Sequence, residues 1–182
     1  MGQKMKLLGG SIRGMRVLSE QKAYHIRFTY DSMSVGTDAP EKMYLARKKD
    51  EWDLKEDGRG SDFVEMWFDS RHELYEPAFI ANFEKYSKIK LDDRKAPYTL
   101  IVKTYNTEGG WNAGLTGHQA EISGEFWVVE SADKSKVIVR VAFRNIRGQK
   151  FHGGDFEMFE RIEDAYFMTA KLLGNFFREK TK

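Results

Sequence analysis

Between Asp155 and Arg178, apolar side chains fall at Phe159, Ile162, Tyr166, Leu173, Phe176 and Phe177, a stepping of three and four that places them on one face of an α-helix. Each such side chain contributes about 1.5–3 kcal/mol once fully buried, so a helix with this stripe needs an apolar surface to lie on. The chain supplies one just upstream. From Lys136 to Ile146, Val137, Val139, Val141 and Phe143 alternate inward while Arg140 and Arg144 point outward. From about Gln119 to Glu130, Ile122, Phe126 and Val128 share one face, with Trp127 and Val129 on the other. The turn residues from Ser131 to Ser135 lie between the two runs, so the pattern predicts a hairpin with the final helix packed on it.

Earlier in the chain, Tyr24, Ile26, Phe28 and Tyr30 alternate with His25, Arg27, Thr29 and Asp31 as in a half-buried strand, and Tyr98 to Tyr105 reads as another. Between them lie helical segments. Asp38 is placed to cap one, with Pro40 in its first turn and Glu41 three residues after the cap. Ser61 and Asp62 open a second, striped by Phe63, Met66, Trp67 and Leu74. Pro77 removes a backbone donor there, which predicts a kink or a fresh start before Phe79, Phe83 and Tyr86 continue the stripe. The glycine-rich run from Gly109 to Gly117 reads as neither helix nor strand.

At 182 residues, 41% hydrophobic and 14% aromatic, the chain can bury one sizeable core. The expected fold is α+β: a single two-layer domain over residues 21–182, with a mostly antiparallel four-stranded sheet and helices on one face, preceded by a basic N-terminal arm over residues 1–20. In that arm Val17 and Leu18 form a short apolar pair, and Lys4, Lys6, Arg13, Arg16, Lys22 and Arg27 face only Glu20 across the first thirty residues. Over the whole chain, 30 Lys and Arg nearly cancel 28 Asp and Glu, which argues against a dedicated nucleic-acid binder. A nucleic-acid reading would nonetheless combine the basic arm with Arg140, Arg144 and Arg147 and use Trp127 and Tyr105 as stacking platforms.

The absence of cysteine excludes disulfides, thiolate catalysis and thiolate metal sites. Leu7 and Leu8 are too short an apolar run for an export signal, and no stretch approaches a membrane span, so the chain as it stands reads as cytoplasmic, or as envelope-associated if a leader has been removed.

Candidate chemistry is sparse. Asp69, His72 and Glu76 are spaced to share a helix face and offer ligands to a divalent metal, although His118 and His152 lie in distant loops. No serine sits in a glycine elbow, and the run around Trp111 lacks the Gly-Lys-Ser/Thr ending of a phosphate loop. Gly153-Gly154-Asp155-Phe156 resembles the signature of diguanylate cyclases but lacks its glutamate, and two glycines followed by an Asp helix cap explain it without catalysis. Trp111 and Asn112 in the glycine-rich run, and Trp127 on the outward face of its strand, are the candidate binding residues.

Taken together, the Gly109 to Gly114 segment, the hairpin, Gly153-Gly154-Asp155-Phe156, Arg161-Ile162 and the Lys171 to Phe177 run give the last half of the chain a resemblance to bacterial families of unknown function. Their members are small, often envelope-associated domains distantly similar to the N-terminal domain of the TolB translocation protein. The resemblance implies an α+β domain without known catalysis, and it carries over no catalytic residue. The sequence therefore points to a non-enzymatic domain that binds a protein partner or itself, through the Trp111 loop or the outer sheet face, with no cofactor implied. The alternative is a small-molecule-binding protein or metal-assisted hydrolase with a site between sheet and helices around Asp69, His72 and Glu76.

Overall fold

The expected hairpin forms the centre of the sheet in a computed structural model of the chain, which describes residues 5–180 apart from 12–14, 16–17, 19, 38, 92, 114–115, 151–152 and 155. The strands are β1 (Met5–Gly9), β2 (His25–Thr29), β3 (Ser34–Val35), β4 (Ala39–Pro40), β5 (Tyr98–Glu108), β6 (Trp111–Asn112), β7 (Gly117–His118), β8 (Glu121–Glu130) and β9 (Val137–Arg147). The helices are α1 (Glu41–Asp53), α2 (Arg59–Ser70), α3 (Glu76–Ser87) and α4 (Met158–Lys180), with a π-helical turn, Arg71–Tyr75, joining α2 to α3.

Among the described residues the sheet is seven-stranded and mixed, correcting the expectation of four mostly antiparallel strands. Its order is β1-β9-β8-β5-β3-β4, and β2 pairs with the same strand β5. Both β2 and β3 run parallel to β5. The reason is the connection: α1, α2 and α3 carry the chain back across the sheet before β5 begins, and a crossover of that length returns the next strand in the same direction. β3 and β4 have two residues each, too few to show a period in sequence. Part of the stretch read as an arm, Met5–Gly9, is an antiparallel edge strand on β9, and Met15 and Leu18 are fully buried. Val17 lies outside the described residues.

Local departures also have physical causes. Pro40 occupies the N-cap position of α1 and pairs with Ser34, so the helix starts at Glu41; the proposed cap Asp38 lies outside the described residues, as does Asp155 before α4. α2 opens at Arg59, behind a left-handed Gly58 with φ 84°, two residues before the predicted Ser61. Pro77 does mark the fresh start expected there, in the first turn of α3. The wider π turn precedes it, where the proline ring would otherwise crowd the carbonyl four residues back. The glycine-rich run folds into the small two-stranded hairpin β6-β7. Val137, expected inward, is 36% exposed, because the ladder shifts register between Val128 and Val129 at the end of the hairpin.

The core lies between one sheet face and the helices. Phe126 of β8 meets Phe83 of α3 and Phe177 of α4 at ring-centroid distances of 5.7 Å and 5.1 Å. α4 buries Phe159, Ile162, Tyr166, Leu173 and Phe177 as its stripe predicts, while Phe176 is only partly buried. Gly174 lets α3 and α4 approach closely, since a side-chain carbon there would press on Tyr86 and the Phe83 carbonyl. Among the described residues, no helix is long and apolar enough to cross a membrane.

Tyrosine hydroxyls are buried within this layer. Tyr75 and Tyr166 stack at 5.1 Å, and the Tyr166 hydroxyl shares a 2.7 Å hydrogen bond with Thr104. Burial pushes Tyr24, Tyr30, Tyr75 and Tyr166 well above the usual phenol range. In the unfolded chain a tyrosine ionises near 10, whereas these stay protonated in the fold, so their contribution to stability is complete below about pH 10 and is lost above it. The loss is about 1.4 kcal/mol per tyrosine per pH unit. An alkaline titration is therefore expected to show phenolate absorbance rising together with loss of near-UV circular dichroism. Ionisation of all the tyrosines in a chain that keeps its near-UV signal would contradict their burial.

Candidate functional site on the outer sheet face

Among the described residues, the four helices lie on one side of the central strands, so the alternate residues of β2, β5, β8, β9 and β1 form an outer face without a described helix over it. Register then determines which residues meet. One row across the sheet reads Arg27, Ile101, Trp127, Arg140, each directly opposite the next. The next reads Thr29, Lys103, Glu125, Ala142, Lys6. Trp127 thus becomes the centre of a cluster. The Lys103 ammonium sits 3.5 Å from its ring centroid and the Arg140 guanidinium 4.4 Å, both within cation–π range.

Glu125 anchors this arrangement. One of its oxygens accepts from the Trp127 indole N–H at 2.6 Å and from Arg140 Nε and Nη2 at 3.1 Å and 2.7 Å. The Arg140 charge is thereby largely neutralised. Lys103 is held over the indole without a carboxylate of its own. Among the described residues, Lys6, Arg27 and Arg144 of this face likewise have no carboxylate within ion-pair distance.

The excess charge reaches both ends of the face. At one end, the imidazole of His25 is held below its ordinary value by partial burial and by the positive charges of Arg27, Arg94 and Lys134 around it. Toward the other, Tyr105 is 40% exposed, and its hydroxyl is pushed up by burial and by the charge on Glu125. Arg144 is exposed beyond it on β9. Ile101, Val129 and Ala142, the apolar members of the face, are at most 9% exposed because the long polar side chains lie across them.

The Trp111 hairpin is a separate feature. Trp111 is 51% exposed and pairs with His118, while Asn112 is exposed opposite Gly117. Trp111 lines a cavity of about 230 Å³ with Tyr44, Lys48, Phe63, Glu108 and Met158, on the helix side of the sheet. The structure therefore does not bring Trp111 and Asn112 together with Trp127. What fixes the base of the hairpin is Arg161 of α4, which is 2% exposed. Its Nε donates to the Gly109 carbonyl at 3.0 Å and Nη2 to that of Gly110 at 3.3 Å, while Nη1 donates to the carbonyls of Gly153 and Gly154 at 3.2 Å and 3.0 Å. The two glycine pairs that stood out in the sequence are the two sides of one guanidinium cradle.

Of the proposed metal residues, the structure brings two together. His72 Nδ1 lies 3.1 Å from Glu76, but the His72 side chain is 75% exposed, and Asp69 is exposed on α2. Among the described residues no three His, Asp or Glu side chains converge as a metal site would require. Glu76 instead turns inward to accept from the Tyr30 hydroxyl at 3.2 Å, beside an Arg71–Glu41 ion pair that also takes the Trp67 indole N–H. Arg147, proposed for a nucleic-acid surface, is engaged with Glu121 at 2.5 Å.

Sequence reasoning placed Trp127, Tyr105, Arg140 and Arg144 on an outer surface and counted Lys6 and Arg27 among its basic residues, but missed Lys103 and Glu125 as partners of Trp127. Alternation along each strand carried part of that signal; the pairing register carried the rest. Comparison with known proteins returns no matching family model, no significant match to a curated protein and none to a solved structure.

Proposed function

We propose that the chain is a non-enzymatic binding domain whose outer sheet face docks an anionic partner. The observation that carries this reading is the Trp127 cluster, in which an indole holds Lys103 with no carboxylate within ion-pair distance among the described residues, amid the charges of Arg27, Lys6 and Arg144, which likewise have none. A second copy is a poor occupant of this face, because two-fold pairing would set like charges against one another. The reading of a hydrolase or small-molecule site around Asp69, His72 and Glu76 draws no support from the exposed positions of Asp69 and His72.

Retention on heparin-agarose tests the reading, with two charge-reversed pairs compared. Arg27→Glu with Lys103→Glu reverses the outer face, and Lys85→Glu with Lys171→Glu makes the same charge change on α3 and α4. The wild-type chain and the helix-side pair are expected to elute at similar salt, and the sheet-face pair clearly earlier. Equal shifts for the two pairs, or a wild-type chain that flows through, would show that the face is no anion-docking surface.

A further inference from the structure

We infer that the occupant of the outer face is single-stranded nucleic acid, with bases against Trp127 and Tyr105 and phosphates at Arg27, Lys103, Lys6 and Arg144. The inference rests on the reading of this face as an anion-docking surface and goes beyond it in naming the partner. The near-cancelling charge of the whole chain loses its force as an objection once the charges are located, because acids such as Glu51, Asp53, Glu56 and Glu84 are paired with cations on the helical side, away from this face. Within the two central rows Glu125 is the one acid, already bound to Arg140.

Three features select this partner over others. The face carries two aromatic side chains, the half-buried Trp127 and the exposed Tyr105, and an aromatic pair on an open sheet is a platform for unstacked bases, which a duplex does not offer. A cation flanks the platform: Arg27 stands two strand spacings from Trp127, roughly 10 Å, with Ile101 between them, on the scale of one or two splayed bases. Finally, the Glu125 carboxylate at the centre would repel the side chains of an acidic peptide, while its remaining lone pairs can accept from the exocyclic amino group of a base.

The cations over the indole form part of the mechanism. A cation–π contact at a ring open to water is weaker than a charge-assisted hydrogen bond to a phosphate oxygen. An arriving phosphate draws Lys103 off the Trp127 ring toward the edge of the platform, and the ring face it leaves is taken by a base. In the free protein the same contact covers the indole and holds the ammonium on the binding face.

The test uses the full chain and a fluorescein-labelled oligothymidylate of about twelve nucleotides, read by anisotropy across a salt series. Binding is expected with a log–log salt slope of about −3, as about 0.7 per neutralised phosphate predicts for four cations on a single strand. Arg27→Ala and Arg144→Ala, at exposed positions that leave the core untouched, each reduce the slope by about 0.7. Trp127→Leu weakens binding about tenfold with the slope unchanged, and Trp127→Tyr restores most of the affinity. If Trp127→Leu does not fold, as judged by circular dichroism, the arginine slopes decide the question. No binding of the oligonucleotide by a chain that heparin retains, or binding no tighter than that of a duplex or polyglutamate of equal charge, overturns the nucleic-acid assignment and leaves the docking face standing. Failure of heparin retention as well removes both.

Discussion

Replacing Arg161 with methionine is expected to lower the free energy of unfolding by about 3–5 kcal/mol, the range for removing one partner from a buried charged network. The size follows from what the side chain holds. Its guanidinium donates to the carbonyls of Gly109, Gly110, Gly153 and Gly154 in a place where the residue is 2% exposed. Methionine fills much of the volume and supplies no donor, so the buried Gly109 carbonyl and the part-buried carbonyls of Gly110, Gly153 and Gly154 lose their partner. Arg161→Lys is expected to recover only part of the loss, because one ammonium cannot reproduce a planar fork aimed at two separate loops. Urea unfolding followed by tryptophan fluorescence measures both variants. An Arg161→Met chain within about 1 kcal/mol of wild type would mean that water replaces the guanidinium at little cost. The variant should also loosen the Trp111 hairpin, whose base carbonyls Arg161 binds, while the outer sheet face keeps its shape.

Phe126→Ala is expected to cost a similar amount, about 3–5 kcal/mol, for an apolar reason. Phe126 is fully buried and is a point at which the central strand β8 touches both α3 and α4, through Phe83 and Phe177. Truncation leaves a cavity whose walls belong to three elements, and three elements cannot all move inward without breaking their own contacts. Phe176→Ala is the comparison. That residue is only partly buried, so its loss should cost well under half as much, and the same urea titration reads it. Equal losses for the two variants would contradict the assignment of Phe126 as the link between layers.

The fold was legible where its determinants lie close together in sequence. The apolar stripe of α4 and the alternation of β8 and β9 are set by local geometry, so the expected faces were recovered apart from Val137, which a bulge moved outward, and Phe176, which is half-covered. The mixed sheet was less legible. Whether β2 pairs parallel or antiparallel with β5 depends on the path of some seventy intervening residues, and nothing in Tyr24 to Tyr30 encodes that path. The candidate site divides in the same way. Trp127 could be placed on an outward face by counting along one strand, but Lys103 and Arg140 reach it from strands on either side. Of Asp69, His72 and Glu76, the spacing brought His72 and Glu76 together, at 3.1 Å, while among the described residues no third ligand joins them.

By itself the sequence determined the class of the protein, α+β around one core, along with the final helix, the central hairpin and the exclusion of thiol chemistry. Periodicity and composition are properties of neighbouring residues and of counts, and they survive without knowledge of the fold. Tertiary structure alone decided the seven-stranded mixed sheet, the Arg161 cradle joining glycine pairs more than forty residues apart, and the separation of a nearly neutral chain into a face with exposed, unneutralised cations. Each of these is a relation between distant segments. Coulomb and hydrogen-bond forces act over a few ångströms in space, and only strand register and helix packing bring such segments within that range.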